Sequence, residues 1–191
     1  PCTMAELSAI VSKFHKTAKK LADVPQNREW EWTSTPTPQV IIAPYEANNI
    51  YLRMLSNEQK SLDFGKLPTI YFFNEYFGGG MNTIVFQELR ETRGLAYNAN
   101  AFYSTPSRKQ DPMFWMEHII TQNDKMMDCI NTFKEITDDM PQTQAAFDIA
   151  KESIMKSMAT SRTTKMNIIY SYLAAKKIGI DHSTYTDIYE K

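Results

Sequence analysis

Residues 73–97 read FNEYFGGGMNTIVFQELRETRGLAY, and this stretch decides how the chain folds. Apolar side chains recur at helical spacing on both sides of three consecutive glycines, which by preference form neither helix nor strand. We therefore expect one helix to end at residues 78–80 and a second, with an apolar stripe over residues 81–89, to end at Gly94. The alternation that follows predicts a strand over residues 95–104. One face of that strand is expected to carry Leu95, Tyr97, Ala99, Ala101 and Tyr103.

The segment before this stretch contributes a helix, two strands and the start of a second helix to the prediction. Thr3 and Glu6 form a capping box at the start of a helical apolar pattern, so a helix is expected over residues 4–22. Proline-rich sequence then indicates an extended connection. The remaining predicted elements are an apolar strand at 40–42, an alternating strand at 49–56, a polar loop at 57–67 and a short helix that Pro68 opens.

The segment after this stretch completes a hairpin and then becomes helical. A return strand over residues 113–121 is expected to pair with the strand at 95–104. Three helices are expected next: one over residues 126–140, a second that Pro141 opens and a third that ends at Gly179. Another helix is expected to start within residues 183–191. This order predicts an α+β fold, a single module over all 191 residues in which helices cover one face of an antiparallel sheet.

Composition and charge narrow the classes of function. A hydrophobic content of 42% and a charged content of 23% are those of a soluble globular protein, and the net charge of −1 excludes a generally basic nucleic-acid binder. No apolar run is long enough to cross a bilayer and no signal peptide is visible, so no membrane partner is expected and the compartment stays unknown. Cys2 and Cys129 are too few for a disulfide framework.

The histidines do not form a recognisable catalytic motif. The zinc motif H-x-x-E-H needs a histidine four residues before its last one, and before His118 that position is Phe114, which cannot bind metal. His15 is expected on a solvated helix face, and His182 has no partner nearby in the sequence. Nucleophile elbows are also absent, and the three glycines lack the Gly-Lys-Ser/Thr ending of a phosphate-binding loop. We therefore expect no metal site within this chain.

Arg90 and Tyr97 remain as a candidate pair. Arg90 falls in the last turn of the helix before Gly94, and Tyr97 is three residues into the next strand, so both can reach the same end of the sheet. A guanidinium binds carbonyls or carboxylates through a planar fork, and a phenol can donate a hydrogen bond to an oxyanion. Spacing alone favours a plainer interpretation, with Arg90 as a cation at a helix C-terminus and Tyr97 at the core edge. The three glycines likewise fit close helix packing or a mobile loop beside a peptide.

Residues 73–97 resemble the signature of the non-catalytic, C-terminal-type half of the pitrilysin/insulinase zinc metallopeptidases, which include mitochondrial processing peptidase. Members carry Asn-Glu before Gly-Gly-Gly-Met, then Phe-Gln-Glu-Leu-Arg, then Arg-Gly-Leu-Ala-Tyr, and these segments occur here in that order. The order of helices and strands also resembles the family's module over essentially the whole chain. The resemblance implies a fragment of a longer two-half or four-domain peptidase.

The resemblance also implies how such a half would act. One half carries H-x-x-E-H and binds zinc, and the other encloses the peptide substrate, so zinc is expected in a partner half, fused or separate. Arg90 and Tyr97 would hold the peptide and stabilise the oxyanion of the tetrahedral intermediate. The peptide would add as a strand to a sheet edge. The residues expected to contact it are Arg90, Tyr97, Gly78, Gly79, Gly80 and Ala99.

Two alternatives stay open. Some relatives with this fold serve as structural or peptide-binding subunits with no zinc in either half, and the presence or absence of H-x-x-E-H in the partner half distinguishes them. An unrelated α+β binding domain would require the match at residues 73–97 to be chance. A dimer is one arrangement that the resemblance allows, whereas the peptide substrate and the fusion state are left undetermined.

Overall fold

Three stretches of the chain are described by a computed structural model: residues 2–28, 30–162 and 164–180. Two earlier expectations, the helix start within residues 183–191 and the unpaired state of His182, lie outside these stretches. Internal contacts divide the chain into two compact units, Pro1–Glu31 and Trp32–Lys191. Among the described residues, no helix has both the length and the apolar character needed to cross a bilayer.

The N-terminal unit contains helix α1, Met4–Phe14. Its predicted capping box is confirmed, because the Thr3 hydroxyl accepts from the Glu6 N–H and the Glu6 carboxylate accepts from the Thr3 N–H at 2.7 Å. The predicted helix over residues 4–22 is too long, since the backbone turns extended at His15. Every residue of α1 is exposed, and a short helix without a packed face is marginal in water.

The second unit follows the predicted order of strands and helices. Its elements are β1 (Asn49–Ser61), α2 (Leu67–Phe77), α3 (Ile84–Phe86), β2 (Ala96–Ser104), β3 (Pro112–Gln122), α4 (Met126–Asp138), α5 (Gln144–Thr160) and α6 (Lys165–Ile178). α3 continues directly as a π-helix, Gln87–Thr92. Two glycines follow helix ends as predicted, and both have a positive φ, 58° at Gly94 and 84° at Gly179.

The strands at the start of this unit differ from the prediction. Residues 40–42 are exposed and carry no strand pairing, so that predicted strand is wrong. β1 instead extends to Ser61, into the predicted loop at 57–67, because β3 continues to pair with it beyond an irregularity between Asn57 and Ser61. Apolar character alone did not distinguish a paired strand from an exposed one, since pairing depends on a partner far along the chain.

The helix boundaries differ by a few residues. α2 has Pro68 in its first turn, as predicted. α3 starts at Ile84 and not at residue 81, because the Thr83 hydroxyl donates to the Gly80 carbonyl at 2.6 Å and closes a turn first. α5 starts at Gln144 and not at Pro141, with the Thr143 hydroxyl as its N-terminal cap.

The sheet has the order β1–β3–β2, with both pairings antiparallel. Side chains of Leu52, Ala99 and Ile119 share one register row, and they face the helices. The buried core joins that face to the helices through Tyr76, Phe77, Ile84, Val85, Leu89, Ala96, Ala99, Ala101, Ile119, Cys129, Phe133, Ile136 and Ala150. The predicted α+β class is therefore confirmed, with helices packed on one face of an antiparallel sheet.

A bulge changes the face that β2 presents at its start. The register against β3 shifts between Ala96 and Asn98, so one extra residue is inserted there. Ala96, Ala99 and Ala101 are buried, whereas Tyr97 is 72% exposed. The prediction that Tyr97 shares a face with Ala99 is therefore wrong, because strict alternation does not hold across a bulge.

Candidate functional site

The turn between the π-helix and β2 brings Arg90 and Tyr97 together. Arg90 lies in the π-helical segment, a conformation that recurs at functional sites. The Leu95 N–H donates to the Leu89 carbonyl at 2.8 Å, and Gly94, with its positive φ, reverses the chain. Glycine suits this position because a side chain disfavours left-handed backbone. The reversal returns β2 alongside the helix that carries Arg90.

The Arg90 guanidinium lies over two aromatic rings. Its Cζ is 4.9 Å from the centre of the buried Phe86 ring and 5.6 Å from that of Tyr97. Such stacking holds a cation in place while its N–H edge stays available. The Arg90 side chain is 43% exposed and has an ion pair of 3.6 Å with Glu91, its neighbour in sequence. The pair therefore presents a fixed guanidinium and an exposed phenol on one surface.

Arg93, which the sequence analysis did not single out, fastens the end of the π-helix to α4. Its guanidinium donates to both carboxylate oxygens of Glu135, at 2.8 and 3.0 Å, and to the Thr132 hydroxyl at 3.1 Å. Hydrogen bonding to Glu135 raises the pKa of Arg93, and the same contact lowers the pKa of Glu135. No local signal in the sequence could have paired these residues, because α4 lies far along the chain.

The three consecutive glycines have different surroundings. Gly78 is buried, and a Cβ there would lie 2.2 Å from the Ala101 carbonyl oxygen. A Cβ on Gly79 would lie 2.7 Å from the Asn74 carbonyl oxygen, whereas one on Gly80 would meet nothing within 4 Å. Close packing therefore accounts for Gly78 and Gly79. Gly80 is the glycine of this group that has open space around it.

The outer edge of β2 is occupied along part of its length. The Ala101 N–H donates to the Gly78 carbonyl at 3.1 Å. The Asn74 side-chain amide then imitates a strand, since its oxygen accepts from the Tyr103 N–H at 2.8 Å and its nitrogen donates to the Tyr103 carbonyl at 3.0 Å. Ala99, one of the expected substrate contacts, is only 2% exposed. A peptide cannot add as a strand to β2 at these positions without displacing α2.

Glu117 and His118 do not converge on a metal. They are consecutive in β3, so their side chains point to opposite faces of the sheet. Glu117 lies on the helix side, accepts from the Trp115 indole N–H, and burial raises its pKa. Burial and the nearby Arg53 lower the pKa of His118. Within residues 2–28, 30–162 and 164–180, no cluster of three His, Cys, Asp or Glu side chains fits a metal ion such as zinc.

Two cavities lie away from the Arg90–Tyr97 pair. One, of about 460 Å³, includes Glu88, Arg93 and Glu135 in its wall. The other, of about 900 Å³, lies between α2 and α5, where the rings of Phe72 and Phe147 are 4.7 Å apart. Neither of these two cavities is lined by Arg90 or Tyr97. The exposure of Tyr97 (72%) and of the Arg90 side chain (43%) places the pair on an accessible surface.

The family model of the peptidase M16 inactive domain matches residues 6–154, which is most of the chain. The chain belongs to this family. The match confirms the resemblance seen in residues 73–97, namely a non-catalytic half-module of this peptidase family. No curated protein matches the chain.

Two solved structures resemble this M16 inactive domain in fold. A peptidase M16 inactive domain from Pseudomonas fluorescens aligns with a TM-score of 0.60 and 20% identity, over 76% of this chain. A protease from Helicobacter pylori aligns with a TM-score of 0.58 and 12% identity, over 99% of this chain. The M16 inactive domain spans only 34% and 46% of the length of those two chains. At these identities the likeness establishes the fold.

Proposed function

We propose that this M16 inactive domain is the substrate-enclosing, non-catalytic half of a zinc metalloendopeptidase. The observation that carries the proposal is the contact between Arg90 and Tyr97, which places a guanidinium 5.6 Å from an exposed phenol ring. Both residues lie within the stretch that resembles the family signature. Membership in the inactive-domain family supports a role without its own metal centre.

In this proposal the two side chains act on a peptide held against a partner half that carries H-x-x-E-H and zinc. Arg90 binds a peptide carbonyl or carboxylate through its planar N–H fork. The Tyr97 hydroxyl donates a hydrogen bond to the oxyanion that develops at the scissile carbonyl. Loss of one such donor removes about 3–4 kcal/mol of transition-state stabilisation.

The surroundings of the pair narrow the path that a peptide would take. Ala99 is buried, and Gly78 is engaged with Ala101, so neither is retained as a direct substrate contact. Gly80, which has open space around it, stays in the proposed path beside Arg90 and Tyr97. Asn74 and Gly78 occupy the β2 edge at Tyr103 and Ala101, so a peptide held at Tyr97 cannot continue along this edge as an added strand.

The test uses the complete two-half enzyme and a quenched fluorescent peptide. Tyr97→Phe keeps the ring against Arg90 and removes only the hydroxyl, and Arg90→Lys keeps the charge and removes the fork. We expect each to lower kcat/KM by at least about tenfold with the circular dichroism spectrum unchanged. Tyr45→Phe and Arg162→Lys, exposed residues elsewhere, are matched controls with full activity expected.

Two results would go against the proposal. Full activity in Tyr97→Phe or Arg90→Lys would remove the role assigned to that residue. A partner half without H-x-x-E-H, together with peptide binding but no hydrolysis, would favour a structural or peptide-binding subunit instead. In addition, zinc is proposed to reside outside this chain, so metal analysis that finds one tightly held zinc per isolated chain would contradict the assignment.

A further inference from the structure

The sheet face opposite the helices is organised in rows that run across the three strands. Each row takes one side chain from β1, one from β3 and one from β2, in register. Directly opposed side chains in adjacent strands lie about 5 Å apart. The four rows are Tyr51–Ile120–Asn98, Arg53–His118–Asn100, Leu55–Met116–Phe102 and Asn57–Phe114–Ser104.

The second row contains two hydrogen-bonding side chains, those of Arg53 and Asn100, that have no partner of their own within the described stretches. Within the part of the chain that the structure describes, the side chains of Arg53 and Asn100 have no ion pair or hydrogen bond. His118 lies between them, with a buried Nδ1 atom that a ligand cannot reach and with a hydrogen bond to the backbone of Leu52. The ring of Tyr51 lies 6.4 Å from that of His118, with the two ring planes inclined by 30°.

This face of the sheet carries basic side chains and no acidic side chains in the four rows. None of the twelve side chains in the four rows is an aspartate or a glutamate. Arg53 is exposed, so its guanidinium is open to a ligand. Burial, followed by the effect of Arg53, lowers the pKa of His118, so the imidazole is neutral at pH 7 and the row carries one positive charge. A carboxylate suits such a row, because its two oxygens can accept both N–H bonds of the guanidinium fork.

The neighbouring rows define the rest of the ligand. On one side lie Leu55, Met116 and Phe102, an apolar row in which Leu55 is 56% exposed. On the other side Asn98 follows directly after Tyr97 in β2, so this face adjoins the Arg90–Tyr97 pair. Strand geometry puts Asn100 about 10 Å along the chain from Tyr97. A polypeptide held at Tyr97 can therefore reach the second row within a few residues.

We propose that Arg53 and Asn100, on either side of His118, form a binding site for a carboxylate of the peptide substrate, supplied by its C-terminus or by an acidic side chain. The inference rests on the proposed function for the substrate class, a peptide. Arg53 contributes a bidentate fork, and Asn100 contributes an amide donor from the other side of the row. The adjacent apolar row accepts side chains that flank the carboxylate.

Isothermal titration calorimetry on the 191-residue chain tests this site with three ten-residue peptides of otherwise identical, neutral sequence. The first has a free C-terminal carboxylate, the second a C-terminal amide, and the third a C-terminal amide and one central Glu. We expect Arg53→Gln to weaken the first or the third by about tenfold and to leave the second unchanged. The peptide that responds identifies the source of the carboxylate. Raised ionic strength should reduce the same preference.

Controls separate this site from general electrostatics and from the proposed function. Arg162→Gln removes an exposed arginine after α5 and should leave all three affinities unchanged. Asn100→Ala should weaken the responding peptide without affecting the amide peptide. Equal affinities for all three peptides, or equal losses in Arg53→Gln, would overturn the carboxylate site. That result would leave the turnover test of Arg90 and Tyr97 untouched, since it uses different variants and a different readout.

Discussion

The guanidinium carbon of Arg90 lies 5.6 Å from the centre of the Tyr97 ring, across the chain reversal at Gly94. Backbone groups hold that reversal, through the hydrogen bond from the Leu95 N–H to the Leu89 carbonyl. Exchange of either side chain should therefore leave the turn intact. Because the turn does not depend on either side chain, Tyr97→Phe and Arg90→Lys test the functional groups without altering the backbone that carries them.

Gly78→Ala should destabilise the fold by about 3 kcal/mol, because the new methyl group cannot fit. Its Cβ would lie 2.2 Å from the Ala101 carbonyl oxygen and 2.7 Å from the Ala101 nitrogen, both backbone atoms that cannot turn aside. Urea unfolding followed by circular dichroism measures the change. Gly80→Ala is the matched control, with an expected change within about 0.5 kcal/mol. Equal stability of the two variants would contradict the close approach of α2 to β2.

Glu117→Gln should raise the free energy of unfolding at pH 7 by about 1 kcal/mol. Glu117 is 7% exposed, its Oε2 is buried without a partner in the described structure, and burial raises its pKa above 4.5. When a carboxyl has a higher pKa in the folded state, the folded protein becomes less stable as pH rises through and above 4.5. The reason is that the carboxyl ionises more readily in the unfolded chain. The neutral amide lacks this penalty.

The pH dependence distinguishes this effect from a general gain in stability. Urea unfolding between pH 4 and pH 8 should show the wild-type protein and Glu117→Gln diverging as pH rises. Glu46→Gln, at an exposed position, should run parallel to the wild type. Parallel curves for Glu117→Gln as well would mean that the buried carboxyl is not the group responsible.

Glu135→Gln should lower the melting temperature at neutral pH, because it breaks the bidentate contact with Arg93. The Arg93 hydrogen bond lowers the pKa of Glu135, so its stabilisation is fully present above pH 4.5 and is lost as pH falls through the lower folded value. The difference from wild type should therefore shrink in acid. Scanning fluorimetry across pH 3–8 measures it.

A double-mutant cycle tests whether the pair acts as a unit. Arg93→Gln and Glu135→Gln together should lower the melting temperature less than the sum of the single changes. Glu152→Gln, in an exposed ion pair with Lys156, is the control and should have little effect. Strict additivity at Arg93 and Glu135 would show that the contact contributes nothing to holding the π-helix against α4.

The sequence alone located the elements around the candidate site because their signals are local. Three glycines interrupt two apolar helical patterns, and Gly94 and Gly179 lie at helix ends where left-handed backbone is needed. Pro68 marks a first helical turn for the same kind of reason. The specific order of residues in 73–97 then identified the family and, with it, Arg90 and Tyr97 as a pair to examine.

Other features depend on contacts between distant segments, and local patterns do not encode them. The bulge that exposes Tyr97 while burying Ala99 arises from the register of β2 against β3. The Arg93–Glu135 contact joins the residue that follows the π-helix to α4, across a whole hairpin in sequence. The row of Arg53, His118 and Asn100 exists only once three strands are aligned.

The sequence by itself therefore determined the class of fold, the family and the identity of the candidate pair, since each follows from short-range order along the chain. Only the tertiary structure decided which of the expected substrate contacts are open. Ala99 and Gly78 are enclosed, whereas Tyr97 and Gly80 are exposed. The physical reason is that exposure depends on strand register and on how closely backbones approach, and both are set by segments far apart in sequence.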